Sequence, residues 1–274
     1  WIQGARIKEV QLNRSDVLDW RNSPGSRKAD RDQALLEGGR VSLLDRLGKQ
    51  MAIHTEDGRV LCVHLGMSGR FEIARPLDEK PAHTHCTWNL QAGRRRIQMR
   101  FIDPRRFGGL WTFRSRQKLL SDRWGSLGPD AASITPNSMA EQLKGRSRGL
   151  KASLLDQGVI AGLGNIYVDE ALFESRLHPR QPSGSLKGVE IDRLTQSVVG
   201  ILEQAIKQGG STIHTWADLS GSPGGFSAQH QVYGRGGGLC ITCGQALSSG
   251  LIAQRTTVWC SKCQTFKRRK RWEI

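Results

Sequence analysis

Four cysteines carry the most specific chemistry in this sequence. Cys240-x-x-Cys243 and Cys260-x-x-Cys263 are separated by 16 residues. Two such knuckles can bring four thiolates around one cation, and a closed sulfur tetrahedron is how zinc is held in structural sites. The intervening GQALSSGLIAQRTTVW mixes turn formers with β-branched residues, as a hairpin requires. One structural zinc, held by Cys240, Cys243, Cys260 and Cys263 on a small C-terminal hairpin, is therefore expected. A dithiol redox pair or buried free thiols would use the same residues differently.

A second constellation is the glycine-rich stretch LLDQGVIAGLGNIYVDEALF, residues 154–173. A dinucleotide fingerprint needs G-x-G-x-x-G after a strand, and a Walker loop needs Gly-Lys-Ser/Thr. Neither is present. What remains is a helix, a glycine turn at 162–164 and a second helix from about Tyr167. Backbone N–H groups at that turn, together with Asn165, suit an isolated phosphate on DNA. A plain helix-hairpin turn would use the same spacing.

Wider patterns show what must position these groups. Residues 5–113 read as β-rich: ARIKEVQL alternates, Asp57-Gly58 and Ala92-Gly93 punctuate apolar runs as hairpin turns do, and GLWTF adds a short strand. Such spacing suggests a sandwich or barrel. Residues 128–138, GPDAASITPNS, read as a linker. Beyond it the period turns helical, with Leu194, Val198, Ile201, Leu202 and Ala205 on one face and Gly209-Gly210 as a stop. The expected class is α+β multidomain, with an N-terminal antiparallel β-sandwich over 1–130, a helical domain over 131–235, a four-cysteine zinc-finger hairpin over 236–264 and a basic tail over 265–274.

The balance of charge narrows the partner. The 274-residue chain carries 41 basic and 25 acidic residues, a formal +16. An enzyme of small neutral molecules has no need of this excess, whereas a polyanion rewards it through counterion release. No apolar window is long enough to span a bilayer, and the first residues carry no signal-peptide pattern. With six cysteines in so long a chain, a reducing compartment is expected rather than a secreted disulfide scaffold.

These pieces together resemble the formamidopyrimidine-DNA glycosylase family, which shares its fold with endonuclease VIII. The resemblance rests on RLGKQ (46–50), HLGMSG (64–69), DPRRFG (103–108), LGPD (127–130), the 154–173 stretch, QGGST (208–212), QVYGR (231–235) and the cysteine knuckles with AQR (253–255). It implies that residues 154–173 form a helix–two-turns–helix motif that grips DNA backbone. It implies a base-excision-repair glycosylase and abasic-site lyase that flips oxidised purines out of duplex DNA and cleaves by β,δ-elimination. By the same resemblance Met67, Arg105 and Phe107 fill the hole left by the flipped base. Phosphate contacts fall to His83, Arg105, Arg146, Lys151 and Asn165, and the elimination steps to Lys49 and Arg255. Glu170 and the lid GSPGGFSAQ (221–229), with Gly224 and Phe226, are expected around the lesion. The partner is duplex DNA with an oxidised base or abasic site. A monomer in a bacterial-type, nucleoid-associated cytoplasm is expected.

One departure counts against full activity. The family's nucleophile is an N-terminal proline followed by glutamate, whereas this chain starts at Trp1, and its GARIKEV matches an internal region of the family. The expectation is that the chain begins inside a longer protein and, as it stands, does not form the proline adduct. The competing readings are a non-catalytic binder of damaged DNA, an oxidised-pyrimidine enzyme of the endonuclease VIII type, and a zinc-ribbon RNA binder. QVYGR and GSPGGF favour the purine branch, and HLGMSG and DPRRFG disfavour the last.

Overall fold

The computed structural model describes residues 2–21, 27–211 and 224–267. Trp1, residues 22–26, residues 221–223 of the expected lid loop and the basic tail from 268 lie outside them. Two compact units emerge, one of residues 1–126 with 212–224 and one of 127–211 with 225–274.

In the first unit, β1 (Arg6–Leu12), β7 (Thr84–Ala92), β8 (Arg95–Ile102) and β6 (Arg70–Ala74) form one sheet in the order β1-β7-β8-β6. A second sheet runs β2-β9-β5-β4-β3, from β2 (Leu18–Asp19), β9 (Gly109–Phe113), β5 (Val60–His64), β4 (Gln50–Thr55) and β3 (Val41–Leu47). Strand alternation sends Val10, Trp88, Met99 and Phe101 inward, where they join Leu61, Val63 and Leu110 in one core. The Trp88 indole N–H donates to the Leu35 carbonyl at 2.9 Å, so its burial leaves no donor unsatisfied. α1 (Lys28–Ala34) and α2 (Arg116–Asp122) complete the unit. The expected antiparallel sandwich needs one correction, because β2 pairs with β9 in parallel. This strand is a two-residue edge piece reached from β1 through a loop and one helical turn, not through a hairpin.

The second unit is helical. α3 (Pro136–Leu143) starts with Thr135 capping the Ser138 amide and proline at its first position. α4 (Leu150–Leu155) and α5 (Asn165–Glu174) flank the glycine turn. α6 (Gly188–Lys207) buries Leu194, Val198, Ile201 and Ala205, the face expected from the periodicity. It stops where Gly209 and Gly210 take left-handed φ values of 72° and 88°, and the Gly210 amide closes on the Ala205 carbonyl at 2.7 Å. β10 (Ser248–Ile252) and β11 (Arg255–Trp259) form the C-terminal hairpin, whose Val258 packs with Phe173, Val232, Leu247, Cys240 and Cys260. Among the described residues no helix is long and apolar enough to cross a membrane.

Candidate nucleic-acid interface and metal centre

Two loops of the β unit leave the same end of their sheet, because Arg70 pairs with Ile102 across β6 and β8. The first loop is 65–69 and the second 103–108. Asp103, fully buried, ties them together. One carboxylate oxygen accepts the Ser68 hydroxyl at 2.6 Å, and the other accepts the Gly108 amide at 2.7 Å. Ser68 Oγ in turn accepts the Arg105 amide at 3.1 Å, while His85 Nε2 meets the Asp103 carbonyl at 2.8 Å. The loops touch so closely at Gly66 (φ 66°) that a Cβ there would sit 2.5 Å from the Phe107 carbonyl carbon. Glycine is required on both steric and conformational grounds.

This clamp holds three large side chains in solvent. Met67 is 64% exposed and Phe107 56% exposed, while the Arg105 guanidinium lies 4.7 Å from the Phe107 ring centroid. Two big apolar side chains held outward on rigid loops mark a contact surface rather than a core. Asp103→Ala should uncouple the clamp, since it removes the acceptors of both the Ser68 hydroxyl and the Gly108 N–H. The Gly108 amide would then be left without its acceptor, at a cost of about 1–3 kcal/mol. Denaturant unfolding reads this, and an unchanged midpoint would count against the clamp.

Lys49 is exposed in the turn between β3 and β4. His83 is exposed with φ at 64°, and its carbonyl accepts the Asp103 amide at 3.2 Å. A residue the sequence reading missed is His64, at the end of β5. Burial, then the charges of Lys49 and Arg123, push its pKa down. Its position inside HLGMSG was the available signal. Arg123 also escaped notice. It stacks 3.4 Å from the Trp111 ring centroid and donates to Gln50 Oε1 at 2.7 Å.

In the helical unit, three acceptor groups lock the C-terminal segments onto α4 and α5. Lys151 Nζ, on α4, pairs with Asp169 of α5 at 2.6 Å and reaches the Thr256 carbonyl at 3.3 Å. The other Asp169 oxygen accepts the Val258 amide at 3.2 Å. Asn165, the first residue of α5, donates from Nδ2 to the same Thr256 carbonyl at 3.0 Å. This corrects the expectation for Lys151. Its side chain is wholly buried in an ion pair and is not presented to a phosphate.

Glu170 needs a similar correction. Its carboxylate accepts the backbone amides of Gln231, Val232 and Tyr233 at 2.8, 3.0 and 2.7 Å. That fastens the QVYGR segment and leaves Glu170 an anchor rather than a pocket wall. Phe226 is buried against Tyr167 and His230, with centroids 6.0 and 5.8 Å away, so it acts as core. Gly224 is buried at the edge of the described loop. Arg146 is half-buried, donating to the Gln142 carbonyl, whereas Arg255 is exposed beside the hairpin turn. That turn sets Ala253 and Gln254 at φ 52° and 57°, values that side chains other than glycine seldom adopt.

The four cysteine sulfurs lie within 4.8 Å of one another. Cys240 and Cys263 are 3.9 Å apart, and Cys243 and Cys260 are 3.5 Å apart. A sulfur tetrahedron with bonds of about 2.3 Å has edges of about 3.8 Å, so the cluster can hold one metal ion. Burial and then the neighbouring thiols push Cys263 up to about 12. Four thiolates at this distance repel, and a cation is what lets them ionise together.

The family model described as the formamidopyrimidine-DNA glycosylase N-terminal domain matches residues 1–110. The one described as the formamidopyrimidine-DNA glycosylase H2TH domain matches 127–217. The formamidopyrimidine-DNA glycosylase of Shewanella amazonensis is 39% identical over 222 residues, covering 80% of each chain. Among solved structures, a Lactococcus lactis FPG mutant bound to Fapy-dG DNA aligns with a TM-score of 0.84 at 29% identity, over 96% of this chain and 94% of that one. A MutM complex with carbocyclic 8-oxo-G DNA aligns at 0.83 and 29%, with the same coverage. The exposed Met67–Arg105–Phe107 clamp, the helix–turn–helix docked on a four-cysteine hairpin and these matches agree, and the chain belongs to the formamidopyrimidine-DNA glycosylase family.

Proposed function

We propose that this protein is a base-excision-repair glycosylase that removes oxidised purines from duplex DNA and cleaves the resulting abasic strand. The observation that carries the reading is the buried Asp103 clamp, which presents Met67, Arg105 and Phe107 to solvent as one rigid group. A base cannot be attacked inside the stack and must be turned out of it. A thioether and an aromatic ring replace the stacking it leaves behind, and a guanidinium offers donors to the widowed cytosine.

Backbone contacts fall to His83, Arg146 and Asn165. Asn165 spends one Nδ2 hydrogen on Thr256, which leaves the second for a phosphate beside the unpaired amides opening α5. Lys49 and Arg255, both exposed, are assigned to the elimination steps, and residues 221–229 to a lid over the flipped base. The cluster's metal is assigned as zinc. Four sulfur ligands with no carboxylate or water position suit a closed structural site, and the ion would stiffen the hairpin carrying Arg255.

Binding to a duplex with a tetrahydrofuran abasic analogue opposite cytosine, compared with an undamaged duplex, tests this directly. The damaged duplex should bind more tightly. Arg105→Ala should lose about 1–3 kcal/mol, or about 5- to 150-fold, on the damaged duplex. Affinity should also fall steeply with salt. Equal affinity for both duplexes, or an inert Arg105→Ala, would exclude the assignment.

A further inference from the structure

The far end of the same sheet carries a second basic surface. β7 and β8 are joined by a two-residue turn, with Ala92 paired to Arg95 across it. Gly93 takes φ 60° at the first turn position, with open space around it, and Arg94 takes the second. This is the pattern of a tight hairpin whose apex projects from the sheet. Arg94, Arg95 and Arg96 are all exposed, and among the described residues none of them forms an ion pair.

The register gathers more charge beside them. Arg96 faces Gln91, Gln91 faces Arg6, and Arg6 bridges to Arg40. Residues directly opposite on adjacent strands share a face, so Arg6 and Arg96 sit about 10 Å apart on the outer surface. Lys8 is exposed at the β1 bulge. The nearby carboxylates are Glu9, which accepts from Asn89, and Glu56, 3.8 Å from Arg40. Cations outnumber carboxylates here, and adjacent like charges repel until a polyanion neutralises them.

β8 sets the distance from this surface to the exposed trio. It starts at Arg95 and ends at Ile102, one residue before Asp103. Its length separates the arginine turn from the 103–108 loop by about 24 Å, at opposite ends of one sheet. We propose that the Arg94–Arg96 turn, with Arg6, Lys8 and Arg40, is a second DNA-binding surface. It takes the phosphate backbone of a duplex segment other than the one gripped by Met67, Arg105 and Phe107. This rests on reading the chain as a DNA-binding repair protein. The protein can then hold an undamaged segment while its other end tests a base, and pass between segments without full release.

The test uses the full chain saturated with an abasic-analogue duplex, followed by titration of a short fluorescent undamaged duplex read by anisotropy. Wild type should bind this second duplex. The exposed triple variant Arg94→Gln/Arg95→Gln/Arg96→Gln should weaken it about tenfold or more and lower its salt slope by about 2–3, one part for each lost phosphate contact. Affinity for the abasic duplex should change less than about twofold at moderate salt, where surface charge is screened. No binding of a second duplex would overturn the proposal, as would an equal loss on both duplexes, which would mean one continuous site. If the abasic duplex itself is not preferred, the proposed function fails. The arginine surface is then judged on undamaged duplex alone, where an unchanged salt slope in the triple variant overturns it.

Discussion

Cys260→Ser is expected to release the metal, loosen the β10–β11 hairpin and abolish tight binding to abasic-analogue DNA. Cys260 is fully buried, its sulfur sits 3.5 Å from Cys243, and it accepts the Cys263 amide at 3.4 Å. Serine offers a harder ligand, and three thiolates hold zinc poorly in a closed site. Structural zinc contributes on the order of 10–16 kcal/mol to the folding of small finger modules, so few other single changes remove as much. The readouts are metal content by mass spectrometry and affinity by anisotropy, side by side. Stoichiometric zinc in wild type, its loss in the variant and a parallel fall in affinity are expected. Full affinity in a metal-free variant would detach the hairpin from DNA binding.

Lys151→Met should destabilise the helical unit by about 3–5 kcal/mol, because it leaves the Asp169 carboxylate buried without its partner. The double variant Lys151→Met/Asp169→Leu should recover most of that loss, since apolar replacement of a buried pair is often neutral. It should still bind DNA less well, because Thr256 and Val258, the neighbours of Arg255, lose two of their ties to α4 and α5. The titration has a defined sign. Burial raises the Asp169 carboxyl to about 6, against the opposing effect of Lys151. A carboxyl raised in the folded state adds stability that is complete below about pH 4 and is lost as pH rises through about 6. The stability of wild type relative to Asp169→Asn should therefore decline from about pH 4 to about pH 6 and level off above. Denaturant melts across that range measure it, and a difference that grows with pH would mean that attraction to Lys151 outweighs burial.

How far the site is legible depends on sequence distance. The cysteine knuckles are short-range patterns whose partners are fixed by chemistry, so spacing alone names four ligands. α6 shows its buried face because its period repeats along the whole 20-residue helix. Lys151 and Glu170 mislead for the opposite reason. Lys151 meets Thr256 across 105 positions, and Glu170 meets its three amides across 61 to 63. No local pattern announces a backbone amide as a partner, so only the match to the family's motifs assigns both side chains to the ligand. Phe226 sits in a glycine-rich loop that suggests a pocket, whereas burial against Tyr167 makes it core. The parallel β2–β9 contact is hidden for a related reason, since two residues cannot show a period.

The most direct measurement of the central claim is release of free base from a duplex carrying one 8-oxoguanine opposite cytosine. The protein, expressed from its whole reading frame, is held in excess for a single turnover. The account predicts release of 8-oxoguanine with strand cleavage at that position, slowed by at least about tenfold in Arg105→Ala, where the widowed cytosine loses its donor. Tight binding to the abasic duplex with no base released would contradict it and leave a protein that binds damage without removing it.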